Sequence, residues 1–297
     1  LADWERIYNQ YEELFSLHKM TMFEMDLWMS LAYFIEQKVD YCIIEAGMGG
    51  RLDATTALDY KACLITNVGL DHTEYLGDTF EQIAYEKSGI FKPNVPALTT
   101  EDKPECQKVM ELVADYMKTP LCFVDCQETD VLRWNGMTFH LKPPLYQAKN
   151  LSLALETLNV LGIWLEENEI QEVIDHFQWA GRYMVLRKDP LVLLDGAHNV
   201  HGITALTHSL KNFTGKIYFS VLKEKDAPHM IELLQSISED ITLVEISSAR
   251  LYPLEKLGYP IITVDELISR LLDTKEDSLL CGSLYYVGEV LEKWGNV

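Results

Sequence analysis

The chain has 297 residues, 48% hydrophobic and 24% charged, a size that accommodates about two ordinary globular domains. With 46 acidic against 25 basic residues the formal net charge is −21, which argues against nucleic acid or an anionic membrane surface as partner. No apolar run reaches the roughly 18 residues that span a bilayer. Nothing argues for secretion, and six cysteines without a C-x-x-C pair fit a reducing cytoplasm.

In chain order, a Thr21–Glu24 capping box followed by Phe23, Leu27, Leu31 and Phe34 predicts a helix over 21–37. The apolar run YCIIE predicts a buried strand over 41–45 that breaks into a glycine-rich loop. A second strand is expected over 62–68, then a capped helix over 78–89 ending at Gly89. A strand over 96–100, a helix near 103–117 and a strand over 121–124 continue the alternation. Short apolar runs between amphipathic helices predict an α/β fold with a mainly parallel sheet.

The polar stretch 130–144 predicts a short hairpin, followed by helices over 147–162 and 167–178 and a connector over 178–190. The alternation then restarts, with strands over 191–194, 216–220, 241–246 and 278–282. Helices are expected from about 202, near 226–238, near 264–273 and at the end. A second α/β unit thus begins just beyond 180–185, dividing the chain into 1–181 and 182–297.

Ligands in open α/β sheets sit beyond the carboxyl ends of strands. Three polar clusters fall there: Glu45 with its glycine loop, TNVGLDHTEYLG over 66–77, and LLDGAHNVHG over 193–202. Each also has a plainer reading. A strand-terminal glutamate pairs with an arginine as readily as it ligates. His72 fits a hydrogen-bonded loop residue, and Asp195 or Asn199 fits a helix cap. The glycine loop satisfies no nucleotide pattern. Gly47 and Gly49 suit a dinucleotide fingerprint, but its third glycine position is Leu52. The Gly-Lys pair at 215–216 lacks the rest of a Walker A loop, with Leu210 before it and Ile217 after it.

Five segments in order carry a more specific signal: EAGMGGRLDATTA, ITNVGLDHTEYLGDTFEQIAYEKSGIFKP, YQAKNLSLALETL, GRYMVLRKDPLVLLDGAHNVHG and LLCGSLYYVGEVL. Together they resemble the folylpolyglutamate synthases, including bifunctional dihydrofolate synthases, of the Mur ligase superfamily. The resemblance runs from about residue 21 to the C-terminus. It implies a P-loop-type ATPase domain and a smaller C-terminal Rossmann-like domain. It also implies a cytoplasmic monomer that uses ATP, L-glutamate and a folate or dihydropteroate. In this family a carboxylate is activated as an acyl phosphate and attacked by the amino group of glutamate.

The resemblance also implies residue roles. Glu45 and His72 match ligands of Mg²⁺. Lys87 matches a lysine that is carbamylated and that stabilises metal or acyl phosphate, although a lysine at a helix end also complements the dipole. Thr21, Met22, Phe23 and Glu24, with Asp53, Ala54 and Thr55, match segments facing the pterin-bearing substrate. Asn150, Arg182 and Asp195 match ATP contacts, and His198 lies beside them. Ser283 and Tyr285 read as structural. Thr56 and Val200 depart from the family's usual Asn and Pro. The family's ATP loop, of G-T-N-G-K-G-S type, lies upstream of the helix matching 21–37 and is not found in these residues. An N-terminally truncated ligase, inactive alone, is therefore expected. Another Mur-type amino-acid ligase, or a non-catalytic folate- and metal-binding fragment or subunit, are the alternatives.

Overall fold

The computed structural model describes residues 2–126 and 128–295. Two compact units make up the chain: residues 1–125 with 153–163, and residues 126–152 with 164–297.

The first unit opens with helices α1 (Ala2–His18) and α2 (Met22–Gln37), which bury Ile7, Phe15 and Met29. Thr21 and Glu24 cap α2 reciprocally: each backbone N–H of the pair donates to the other's side chain, at 2.7 and 3.3 Å. Arg6 clasps Glu36 with two guanidinium nitrogens, tying α1 to α2. After the glycine loop come β1 (Cys63–Ile65), α3 (Thr73–Leu76), α4 (Phe80–Ser88), β2 (Ala97–Thr99), α5 (Pro104–Met117) and β3 (Leu121–Phe123). The three strands form a parallel sheet in the order β1-β2-β3. Ile83 and Ala84 of α4 and Cys106 and Met110 of α5 share its core with Cys63, Ile65 and Ala97.

The second unit begins with a hairpin of β4 (Val131–Trp134) and β5 (Met137–His140). Its turn residues Asn135 and Gly136 have φ of 48° and 82°, the doubly positive backbone that suits a two-residue hairpin. Helix α6 (Gln147–Val160) crosses the division at 152/153, and α7 (Glu167–His176) packs on β5. Thr138 and His140 donate their backbone N–H groups to Glu167 and Gln171, at 2.8 and 2.9 Å. These bonds hold the hairpin against α7, both within the second unit.

The remaining elements are β6 (Met184–Lys188), β7 (Leu191–Asp195), α8 (Val200–Ser209), β8 (Lys216–Phe219), α9 (Ala227–Gln235), β9 (Ile241–Glu245), β10 (Ile261–Thr263), α10 (Val264–Asp273), β11 (Ser278–Cys281) and α11 (Leu284–Trp294). Six strands form one sheet in the order β10-β9-β8-β11-β7-β6, parallel except for β6 against β7. Strand periodicity sends Leu193, Ile217, Phe219 and Leu279 to one face, with α8 and α9. Val192, Leu194, Tyr218 and Leu280 go to the other, with α10 and α11. A strand buried on both faces reads as a continuous apolar run, which is how β7 and β11 appear in sequence.

Two expectations are corrected. The run 41–45 pairs with no strand among the described residues, and Ile43 is 94% exposed. An apolar run of this length marks a candidate strand, but only a partner ladder makes it one. The expected connector over 178–190 contains β6, a half-exposed edge strand that the adjoining Gly181 and Pro190 disguise. Helix α3 and strand β10 have no counterpart among the expected elements. Each is one turn or three residues long, too short to carry a period.

Candidate active site

In the first unit the loop after Glu45 is shaped by one carboxylate. Asp53 Oδ2 accepts the backbone N–H groups of Gly47 and Met48, at 2.8 and 3.0 Å. Its Oδ1 accepts from the backbone N–H and hydroxyl of Thr55, at 3.0 and 2.6 Å. Burial disfavours the charge on Asp53, but these four bonds outweigh it and hold the carboxyl below the usual aspartate range. Asp53 thereby caps a 3-10 turn over Ala54–Ala57, and Thr55 is buried beneath it. The Phe23 ring covers the loop: a Cβ on Gly47 would come within 2.8 Å of it. Met22, beside Phe23, is exposed.

The loop's other side docks on the end of α4. Arg51 donates its backbone N–H to the Glu86 carbonyl at 2.8 Å and clasps the Glu86 carboxylate with Nε and Nη2. Two glycines make this approach possible. A Cβ on Gly50 would lie 2.8 Å from the Lys87 carbonyl, and one on Gly89 would lie 2.2 Å from Arg51 Cα. Gly50 and Gly89 therefore serve close approach to main chain, whereas Gly47 makes room for the Phe23 ring.

Lys87 sits in the last turn of α4, partly buried. Burial lowers its pKa, while Asp71 and Glu45 act to raise it, so three charged groups share one neighbourhood. His72 is exposed, has φ of 51°, and starts α3 without a side-chain cap; its backbone N–H donates to Asp71 Oδ1 at 2.9 Å. Asp71 is a further candidate that sequence reasoning misses, although it adjoins His72 within the segment 66–77. Among the described residues no group of three or more His, Cys, Asp or Glu side chains is arranged to hold a metal ion.

In the second unit Asp195 ends β7 and is 3% exposed. Its Oδ2 accepts from Tyr183 N–H at 2.7 Å and its Oδ1 from Ala197 N–H at 2.8 Å. Burial raises its pKa, against the pull of those two bonds and of nearby Arg182 and His198. Arg182 lies across Gly196, where a Cβ would meet Nη1 at 2.5 Å. His198 Nδ1 sits 2.8 Å from the Gly196 carbonyl, which can only accept, so Nδ1 carries the proton. Asn199 caps α8. Asn150 is exposed on α6 and donates to Gln147 at 2.9 Å. Tyr146 is a second candidate that sequence reasoning misses: burial and the charge of Asp195 raise its pKa, and Arg182 opposes them. It heads the YQAKN segment, where a sequence signal was available. Ser283 is buried and caps α11, in keeping with a structural role.

The candidates thus fall into two sets. Glu45, His72, Lys87, Phe23 and Asp53 belong to the first unit, and Arg182, Asp195, His198 and Asn150 to the second.

A Mur ligase middle domain matches residues 6–141. The dihydrofolate synthase/folylpolyglutamate synthase of Escherichia coli is 30% identical over 300 residues, covering 92% of this chain and 69% of that protein. The chain belongs to this family. Its members are ATP-dependent ligases of the Mur type. Escherichia coli FolC in complex with DHPP and ADP is 28% identical, with a TM-score of 0.79 over 93% of this chain and 72% of that one. A bifunctional folylpolyglutamate synthase/dihydrofolate synthase with Mn, AMPPNP and L-glutamate bound is 26% identical, with a TM-score of 0.86 over 99% of this chain and 76% of that one. No helix among the described residues of this family member is long and apolar enough to cross a membrane.

Proposed function

We propose that this chain contributes the metal-binding and acyl-phosphate-stabilising residues of a ligase that adds L-glutamate to a folate or dihydropteroate at the expense of ATP. The observation that carries this reading is the main-chain contact between the glycine loop that follows Glu45 and the end of α4 that bears Lys87. The relative solved with Mn, AMPPNP and L-glutamate supports the substrate set.

Glu45 and His72 are assigned to Mg²⁺. A sparse protein donor set suits Mg²⁺, which keeps several waters and takes further oxygens from phosphates, whereas a structural zinc would need four protein ligands. When bound, the ion supplies charge neutralisation on the transferring phosphoryl group. Lys87, or its carbamate, stabilises charge at the same centre. Phe23 and Met22 offer an apolar face to a pterin, and Asp53 with Thr55 fixes the loop beneath it. Thr21 and Glu24 hold the helix start that carries Phe23. On the second unit Arg182, His198 and Asn150 are assigned to ATP. Asp195 orients Tyr183 and Ala197 and keeps one lone-pair site on each oxygen for a ligand donor.

Mn²⁺ binding followed by electron paramagnetic resonance tests the metal assignment. Glu45→Gln is expected to weaken it about tenfold or more, and an unchanged affinity overturns the assignment. We infer further that residues 1–297 alone do not ligate, since no G-x-x-x-x-G-K-[ST] loop occurs within them. Purified chain given ATP, Mg²⁺, glutamate and either dihydropteroate or tetrahydrofolate should form no product. Product formed with host ligase excluded would refute this.

A further inference from the structure

The loop that carries Asp71 and His72 is held by a side chain that neither the resemblance nor the metal assignment uses. Glu101 lies just beyond β2, is 2% exposed, and carries a carboxylate. Its Oε2 accepts the backbone N–H of Val68 at 2.5 Å. Its Oε1 accepts the Lys103 backbone N–H at 2.8 Å and the Lys103 ammonium at 3.1 Å. That ammonium also donates to the Val68 carbonyl at 2.9 Å and rests over the Phe80 ring, 5.3 Å from its centre. Both polar groups of the Val68 backbone are therefore taken up by one ion pair. Thr100 adds a second strap, its hydroxyl donating to the Thr66 carbonyl at 2.6 Å.

We propose that Glu101, with Lys103 as its counter-ion, is a positioning residue that fixes the loop over 66–72 and so presents His72 to the metal. The proposal rests on the metal assignment above for its functional half. Both carboxylate oxygens face donors, so each serves as an acceptor. A glutamine at 101 has one acceptor, so whichever way it turns an amide N–H₂ must face either Val68 N–H or the Lys103 donors. A buried donor without an acceptor forfeits its solvation with no return. The strength of the grip follows from burial, since the pair is shielded from water on the carboxylate side.

The test uses the whole chain, with hydrogen exchange of the amides over 66–72 and Mn²⁺ affinity by electron paramagnetic resonance. Glu101→Gln is expected to speed exchange over 66–72 about tenfold or more and to weaken Mn²⁺ about tenfold, with the second unit unchanged. Lys103→Gln keeps a donor in place and should show the same pattern more weakly; it decides the matter if Glu101→Gln fails to fold. Exchange over 66–72 that rises no more than in α4 and α5 overturns the proposal. Faster local exchange with unaltered Mn²⁺ affinity also overturns it, leaving Glu101 a structural residue only. If the unsubstituted chain binds no Mn²⁺, the Glu45–His72 assignment falls alone, and local exchange in both variants still supports the clamp.

Discussion

Gly89→Ala is expected to destabilise the first unit by about 1–3 kcal/mol and to loosen the glycine loop. The added methyl would lie 2.2 Å from Arg51 Cα and 2.6 Å from Arg51 N, atoms that no rotamer change can remove. Backbone conformation is not the obstacle, because Gly89 has φ of −61° and ψ of −10°, which alanine adopts freely. Relief must come from moving the loop or the end of α4, and either motion lengthens the 2.8 Å bond from Arg51 N–H to the Glu86 carbonyl. Exchange of the amides over 47–56 should accelerate while the second unit stays protected. Equal stability and unchanged exchange would show that the loop has slack that the close contact denies.

Leu279→Ala is expected to cost the second unit more, about 2–5 kcal/mol. Leu279 is fully buried on β11, the strand between β8 and β7, and its register partners are Ile217 and Leu193. Those neighbours are themselves fully buried and joined by Phe219 and Ile203 in one core, so little can move in to fill the gap. Denaturant unfolding read by the protection of β7 and β8 amides measures the loss. A cost below about 1 kcal/mol would mean that the core collapses onto the cavity.

Sequence is most informative where the determinant is local. The capping pairs Thr21–Glu24 and Thr79–Gln82 mark the starts of α2 and α4 because each lies within one helical turn. The apolar runs of β7 and β11 are legible because burial on both faces removes polar alternation. The run at 41–45 looks the same by composition, yet its status depends on a pairing partner elsewhere in space. The candidate site residues follow the same division. Glu45, His72 and Lys87 stand out by motif, whereas Glu101 is separated by 33 positions from the amide it holds. Nothing near Glu101 in the sequence announces that contact. Tyr146 is tied to Asp195 only through the fold, and motif position is its sole clue.

The contact between Gly50 and the end of α4 also has a mechanical side. Most paired groups in a protein keep their spacing through side-chain torsions, each with several wells. The loop that follows Glu45 and the turn that bears Lys87 instead abut through main chain, joined by a backbone hydrogen bond and a two-nitrogen clasp. The spacing of their anchor points is thus set by main-chain contact rather than by side-chain rotamers. Displacement of either segment is then passed to the other, so Glu45 and Lys87 would keep a steady separation rather than a fluctuating one.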